Sequence, residues 1–268
     1  MPGSLRDAVE RAAAVLERAG CDTPRLDAEV LVAEATGLAR ERVHLDPGTE
    51  VARGREFRLG EHIRRRIDRE PVAYILGRRA FRRIELSVDP RVLIPRPETE
   101  LLVEVALELH PGAWVHDVGT GSGAVALAIA HERPDLRVTG SDVASAAVEV
   151  AQKNAERLGL PVEMTATAGL PVEAAGADLV VANLPYVTDA EWDTLAPEIT
   201  GFEPREALVS GADGLDAIRE LVASAPSGAR LALEHAPGQA AAVRRLLDGG
   251  ATRRDLAGFE RVTVGRVP

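Results

Sequence analysis

From position 114 onward the chain alternates short apolar runs with stretches of helical periodicity, and this alternation limits its folding more than any other feature. Residues 114–117, 137–141, 162–166 and 177–182 read as strands, with helices at 124–131 and 144–158 between them. Repeated strand, crossover helix and strand build a mostly parallel, doubly wound α/β sheet with helices on both faces. Further on, a helix near 214–224, a strand at 229–234, a helix at 238–247 and two strands near 251–256 and 261–266 are expected. The short turn between the last two places an antiparallel C-terminal strand in the sheet. Open sheets of this class hold their ligands outside the C-terminal ends of the strands. Two unusual stretches fall at such ends: the glycines after Asp117 and the tetrad after Ala182.

Asp117-Val118-Gly119-Thr120-Gly121-Ser122-Gly123-Ala124 joins the first strand to its helix. Glycines there allow tight turns and close approach of a ligand, while the amides of the helix N-terminus face it. Gly119, Gly121 and Ala124 also satisfy the dinucleotide fingerprint, and Asp142 at the end of the next strand suits ribose hydroxyls under either reading. The loop alone therefore leaves a nicotinamide dinucleotide and S-adenosylmethionine both open. Gly123 and the acidic Asp117 fit S-adenosylmethionine better, since a carboxylate there attracts the methionine ammonium. The expected cofactor contacts are Asp117, Gly119, Thr120, Gly121, Ser122, Gly123, Asp142 and Asn183.

The tetrad Asn183-Leu184-Pro185-Tyr186 follows a run that reads as a buried strand. Asn183 offers a side-chain carbonyl, Pro185 keeps its backbone carbonyl free, and Leu184 is held extended because it precedes proline. Two acceptors at one spacing, beside the flat face of Tyr186, can hold a planar NH2 group by both hydrogens. That grip suits an amide or an exocyclic amine and favours S-adenosylmethionine, because a nicotinamide enzyme would need an acid or base for its substrate oxygen. Asn183, Pro185 and Tyr186 are the expected catalytic residues, and Leu184 joins them in binding substrate.

Charge and composition remove other classes. The chain of 268 residues carries a formal charge of −10, which opposes direct binding to a nucleic-acid backbone. Its one cysteine, Cys21, cannot make an internal disulfide, and no cysteine and histidine cluster has metal-ligand spacing. No apolar run is long enough to span a bilayer, and the first residues lack a secretory pattern, so a cytoplasmic monomer is expected.

Ahead of the sheet, residues 1–71 read as a small helical bundle. Leu5, Ala8, Val9, Ala12, Val15, Leu16 and Ala19 recur at helical spacing up to Gly20. A second helix starts at Pro24, buries Leu26, Val30, Leu31 and Ala33 and ends at Gly37; a third covers residues 51–69. The run Arg64-Arg65-Arg66 reads as a solvated helix face. Residues 72–94 alternate at even spacing and read as a β-hairpin linker, leaving residues 95–268 as the α/β domain. Pro95-Arg96-Pro97-Glu98-Thr99-Glu100 by itself is adequately explained as a helix start.

Taken together, these stretches resemble a known family, the glutamine N5-methyltransferases of peptide chain release factors (HemK/PrmC type). The likeness rests on Arg91-Val92-Leu93-Ile94-Pro95-Arg96-Pro97-Glu98-Thr99-Glu100, on Arg69-Glu70-Pro71-Val72-Ala73-Tyr74-Ile75-Leu76-Gly77, and on the tetrad. Phe202-Glu203-Pro204-Arg205-Glu206-Ala207-Leu208 with Gly211, Asp213, Gly214 and Leu215 carries it too, as do Glu234-His235 and the closing residues 255–262. The resemblance implies a Rossmann-like S-adenosylmethionine-dependent domain and, as substrate, the Gly-Gly-Gln glutamine of a bacterial class I release factor gripped by the helical domain. It implies that Asn183 and Pro185 accept the two amide hydrogens as the nitrogen attacks the methyl group in line. An adenine-N6 methyltransferase acting on RNA or DNA is the alternative, since ribosomal RNA enzymes share the Asn-Leu-Pro-Tyr form. Two positions depart from the family pattern. Leu184 stands where proline is common, and Ala168 stands near the place of an acidic residue that contacts adenine.

Overall fold

A computed structural model describes residues 3–52 and 54–268; Met1, Pro2 and Arg53, the last within the expected third helix, lie outside the described residues. Met1–Gly77 with Ala196–Phe202 form one compact unit, and Arg78–Leu195 with Glu203–Pro268 form the other.

The first unit is helical: Leu5–Arg18, Pro24–Thr36, Arg40–Leu45, Arg55–Ile67, Val72–Leu76 and Pro197–Phe202. Ser4 caps the first helix reciprocally with Asp7, each backbone N–H donating to the other's side chain. Leu5, Ala8, Val9, Leu16, Ala28, Leu31, Val32 and Ile75 form its core. Leu26, expected inside, is 45% exposed; Leu31 and Ala33 are buried as expected, and Asp27, Ala28, Val32 and Ala35 complete the buried stripe.

The arginine run also departs from expectation. Arg64 is solvated and pairs with Glu61 and Asp68. Arg65 instead pairs with Glu70 and donates to the Ile75 carbonyl. Arg66 is buried, with Asp27 at 2.7 Å and Glu198 at 2.8 Å. Helical rotation of 100° per residue turns the third arginine inward, where two carboxylates compensate for its lost hydration. Glu198 reaches Arg69 as well, at 2.7 Å, so residues 196–202 are held to this unit by charge. Val72–Leu76 is a helix rather than part of the expected hairpin, because Gly77 closes it in the left-handed conformation at φ 69°.

The second unit begins with the hairpin β1 (Arg78–Phe81) and β2 (Ile84–Ser87). A seven-stranded sheet follows, made of β3 (Trp114–Val118), β4 (Arg137–Asp142), β5 (Glu163–Ala166), β6 (Leu179–Ala182), β7 (Arg230–Glu234), β8 (Asp248–Arg254) and β9 (Glu260–Arg266). Its order is β5-β4-β3-β6-β7-β9-β8, parallel from β5 to β7 and antiparallel where β9 joins β7 and β8. Every residue of β6 is buried, as a central strand covered on both faces requires. The chain leaves β3 toward β4 and β5, then crosses back to β6 on the other side. That reversal opens a crevice at the C-terminal ends of β3 and β6. Among the described residues no helix is long and apolar enough to cross a membrane, and no group of three or more histidine, cysteine, aspartate or glutamate residues could hold a metal ion.

Candidate active site

Strand register brings the sequence-distant residues together. Val118 pairs with Ser141 on one side and Ala182 on the other, and Ala182 pairs with Leu233. The residues that follow these pairs, Gly119, Asp142, Asn183 and Glu234, therefore emerge along one edge of the sheet. A cavity of about 450 Å³ opens there, lined by Asp117, residues 119–122, Asp142, residues 167–169, and Asn183, Leu184 and Pro185 among others. This lies in the roughly 300–1,000 Å³ range of small-molecule sites.

The glycine loop is folded to hold a ligand closely. Gly119 and Thr120 both donate their amides to the Ser141 carbonyl at 2.9 Å. Gly119 has φ 73°, and a Cβ there would stand 3.0 Å from the Leu184 side chain. Gly121, at φ 54°, faces open space instead and donates its N–H to Asp142 at 2.9 Å. The Ala144 amide takes the other Asp142 oxygen at 2.9 Å. Both oxygens are thus oriented by backbone, and each keeps a further lone pair for a diol. Ser122 is held by buried Asn154, which donates to its carbonyl at 2.9 Å and pairs with the Ser87 backbone in both directions, while Gly123, outside the cavity lining, donates to the Thr120 carbonyl. Sequence reading overlooked Asn154, whose only signal was a polar side chain on the buried face of a helix.

Asp117 is 2% exposed. One carboxylate oxygen accepts from the Thr120 hydroxyl at 2.7 Å and the Ala126 amide at 3.2 Å. Burial pushes its pKa up to about 7, against the pull of those two donors. A cation in the cavity would restore the balance, and the methionine ammonium of S-adenosylmethionine is such a cation. With Asp142 set for ribose and Gly121 leaving room, these residues fit that cofactor.

Asn183 donates its Nδ2 to the Thr99 hydroxyl at 3.0 Å. Its Oδ1 is left as an acceptor, and nothing among the described residues hydrogen-bonds to that oxygen or to the Pro185 carbonyl. Both residues line the cavity. Tyr186 is half-buried beside it, its hydroxyl donating to Glu234 at 3.3 Å and its pKa pushed well above the ordinary value, chiefly by burial. The Tyr186 carbonyl accepts from Gln239 at 2.9 Å, and a Cβ on Gly214 would collide with that carbonyl.

The stretch before the helix Glu100–Leu107 does more than start it. Pro97–Thr99 is a 3₁₀ turn that delivers Thr99 to Asn183. Just before it, the Ile94 amide donates to buried Glu203 at 3.0 Å, and Arg96 pairs with the same carboxylate. Two motifs a hundred residues apart are thus one structural device. Thr167, Ala168 and Gly169 line the cavity and contribute no carboxylate, whereas Glu220 of the helix Asp216–Ser224 lines the same cavity with one.

Residues 7–77 match the PrmC N-terminal domain, and residues 97–211 match the methyltransferase small domain. The catalytic domain of hMettl16, solved with the MAT2A 3'UTR hairpin 6, shares the fold at 14% identity with a TM-score of 0.55, over 68% of this chain and 76% of that one. Release factor glutamine methyltransferase of Burkholderia pseudomallei is 43% identical over 91% of this chain and 92% of its own. The enzymes of that name from Pseudomonas aeruginosa and Moorella thermoacetica are 44% and 39% identical, over 91% and 96% of this chain and 94% and 96% of theirs. The protein is an S-adenosylmethionine-dependent methyltransferase. With identity of this order running through both units, the chain belongs to the release factor glutamine methyltransferase family.

Proposed function

We propose that this enzyme methylates the side-chain amide nitrogen, N5, of the Gly-Gly-Gln glutamine in bacterial class I peptide chain release factors. One observation supports the substrate amide most directly: Asn183 spends its Nδ2 on Thr99, so its carbonyl and that of Pro185 remain as two unpaired acceptors in the cavity. An amide nitrogen has exactly two hydrogens to give them. Asp117, Asp142 and the loop from Gly119 to Gly123 hold the cofactor, which supplies an electrophilic methyl group on a sulfonium. The helical unit binds the body of the release factor.

The chain's own residues then perform the positioning. An amide nitrogen is a poor nucleophile because its lone pair is delocalised into the carbonyl. Accepting both hydrogens raises electron density on nitrogen and turns its lone pair toward the methyl group. Such orientation is worth roughly 7–11 kcal/mol in well-aligned cases. The grip requires no group to remove a proton before attack.

The test is transfer of label from S-adenosylmethionine to a purified release factor, beside a factor whose Gly-Gly-Gln glutamine is replaced and beside total RNA. Label confined to the intact factor is expected. Label on RNA would establish the adenine-N6 alternative instead. Asn183→Ala should lower turnover by about 10²–10³-fold, the usual effect of deleting one preorganised hydrogen-bonding group at a reacting centre. Full activity in that variant would remove Asn183 from the mechanism.

A further inference from the structure

The amide grip needs a Pro185 carbonyl that is both free and aimed. Nothing among the described residues hydrogen-bonds to that oxygen, so its direction must come from the chain on either side. The pyrrolidine ring fixes φ of Pro185 itself. Beyond it, the peptide unit between Tyr186 and Val187 is held at both ends. Its N–H, on Val187, donates to the Leu208 carbonyl at 2.8 Å, and its carbonyl, on Tyr186, accepts from Gln239 Nε2 at 2.9 Å. Of these two partners only Gln239 acts through a side chain, so only that one depends on residue type. Gln239 uses every hydrogen-bonding atom of its amide. Nε2 gives its second hydrogen to the Asp213 carbonyl at 3.0 Å, and Oε1 accepts from the Ala236 amide at 2.9 Å. Reversed, the amide would set an oxygen against two carbonyls and a donor against an N–H, so its direction is determined. One side chain thus ties the tetrad to the turn before the helix Asp216–Ser224 and to the exit of β7. Gly214 makes the approach possible: at φ 73° and without a Cβ, it leaves room for the Tyr186 carbonyl and Gln239 Nε2, both of which a side-chain carbon would strike.

We propose that Gln239 is a positioning residue for methyl transfer: by fixing the peptide after Tyr186, it aims the Pro185 carbonyl at the substrate amide. The inference rests on the reading of Asn183 and Pro185 as the two acceptors for that amide. Pro185 lines the cavity, whereas Tyr186, Gly214 and Gln239 do not, so the effect passes along the backbone and not through contact with a ligand. Without the Gln239 donor the Tyr186–Val187 peptide is free to turn. A compensating rotation about the Tyr186 Cα then carries the Pro185 carbonyl away from the substrate hydrogen. A misplacement of about 1 Å at a reacting centre can cost about 100-fold in rate.

Gln239→Glu keeps the length and still accepts from Ala236, but sets a carboxylate against two carbonyls. Gln239→Met keeps the length and offers no hydrogen at all. At saturating cofactor and pH 8, both should lower kcat for the release factor roughly 10- to 100-fold. KM for the factor and affinity for S-adenosylhomocysteine should stay within about threefold, because the lost interaction acts on the reacting geometry and not on binding. The deficit should persist well below the melting transitions of the variants, where a merely weakened fold would recover. Gly214→Ala, which pushes the same carbonyl from the other side, should give the same split between kcat and KM. Combined with Gln239→Met it should be no worse than the poorer single variant. Wild-type kcat in both Gln239 variants, a loss carried by KM or cofactor affinity, recovery in the cold, or additive losses in the double variant would overturn the proposal. Asn183→Ala, run alongside, separates the two readings. If it keeps full turnover, the amide grip has failed and this proposal with it; if it is impaired while the Gln239 variants match the wild type, only the role of Gln239 has failed.

Discussion

On the proposed reading Asp117 links cofactor binding to the stability of the fold, and the link can be given a sign and a size. Its carboxyl sits near pKa 7 in the folded protein against 3.8 in the unfolded chain, because burial disfavours the charged form. Between those values the folded state holds a proton that the unfolded state has lost, so stability falls as pH rises from about 4 and levels off above about 7. A shift of about three units at about 1.4 kcal/mol each makes the ionised carboxylate unfavourable by up to about 4 kcal/mol at pH 8. Asp117→Asn removes that term while its side-chain oxygen can still accept from Thr120 and Ala126. The variant should therefore melt several degrees above the wild type at pH 8, and the gap should narrow as pH falls toward 4. Cofactor binding should respond in the opposite sense. The ammonium needs a charged Asp117, so wild-type affinity for S-adenosylhomocysteine should weaken by about tenfold per pH unit below 7. The asparagine variant should bind more weakly at pH 8, with little dependence on Asp117 protonation. Thermal melts and titration calorimetry at pH 5.5, 7 and 8 measure both arms. A variant that melts below the wild type at pH 8, or a wild-type affinity flat between pH 5.5 and 8, would refute the reasoning.

Two further outcomes follow from groups away from the amide grip. Glu198→Ala leaves Arg66 buried with one carboxylate fewer, and should destabilise the helical unit by about 3–5 kcal/mol, seen as an earlier melting transition. Glu220 lines the same cavity as Ala168, near which the resemblance places an acidic contact to adenine. Glu220→Gln should weaken S-adenosylhomocysteine roughly three- to tenfold, as for one ordinary hydrogen bond, and leave an analogue with a 6-oxo purine unaffected; Ala168→Asp should tighten binding.

Much of the fold can be read along the chain because its signals are local. The buried run into β6, the left-handed Gly37 after the second helix and the glycine loop after β3 each announce themselves within a few residues. Asp142 is legible for the same reason, since its partners Gly121 and Ala144 follow from the turn that carries it. Local reading fails where tertiary contacts decide. Val72–Leu76 has the valine, tyrosine and isoleucine of a strand, yet it is a helix whose Ile75 is buried in the core of the helical unit. Arg66 looks like its exposed neighbour Arg64 until Asp27, 39 residues away, and Glu198, 132 residues away, are brought to it.

The active site shows why chemistry is harder to read than topology. Asn183 is conspicuous, but the group that orients it, Thr99, is 84 residues earlier, and Tyr186 is anchored 48 residues later. No window of sequence contains those pairs; the parallel register of β6 and β7 creates one, and the 3₁₀ turn Pro97–Thr99 creates the other. One signal was nevertheless present. Asp117, Asp142 and Glu234 all lie at or next to the last residue of a sheet strand, and for Asp117 and Glu234, which are buried, a carboxylate is costly unless function retains it. Their surroundings then separate their tasks. Two backbone amides aim Asp142, a hydroxyl and an amide leave Asp117 short of compensation, and Glu234 has the Tyr186 hydroxyl on one oxygen and no partner among the described residues on the other. A cationic ligand would complete Asp117, whereas Glu234 lies outside the residues that line the cavity. That difference predicts opposite responses to loss of the cofactor: the titration of Asp117 should shift on binding, and that of Glu234 should not.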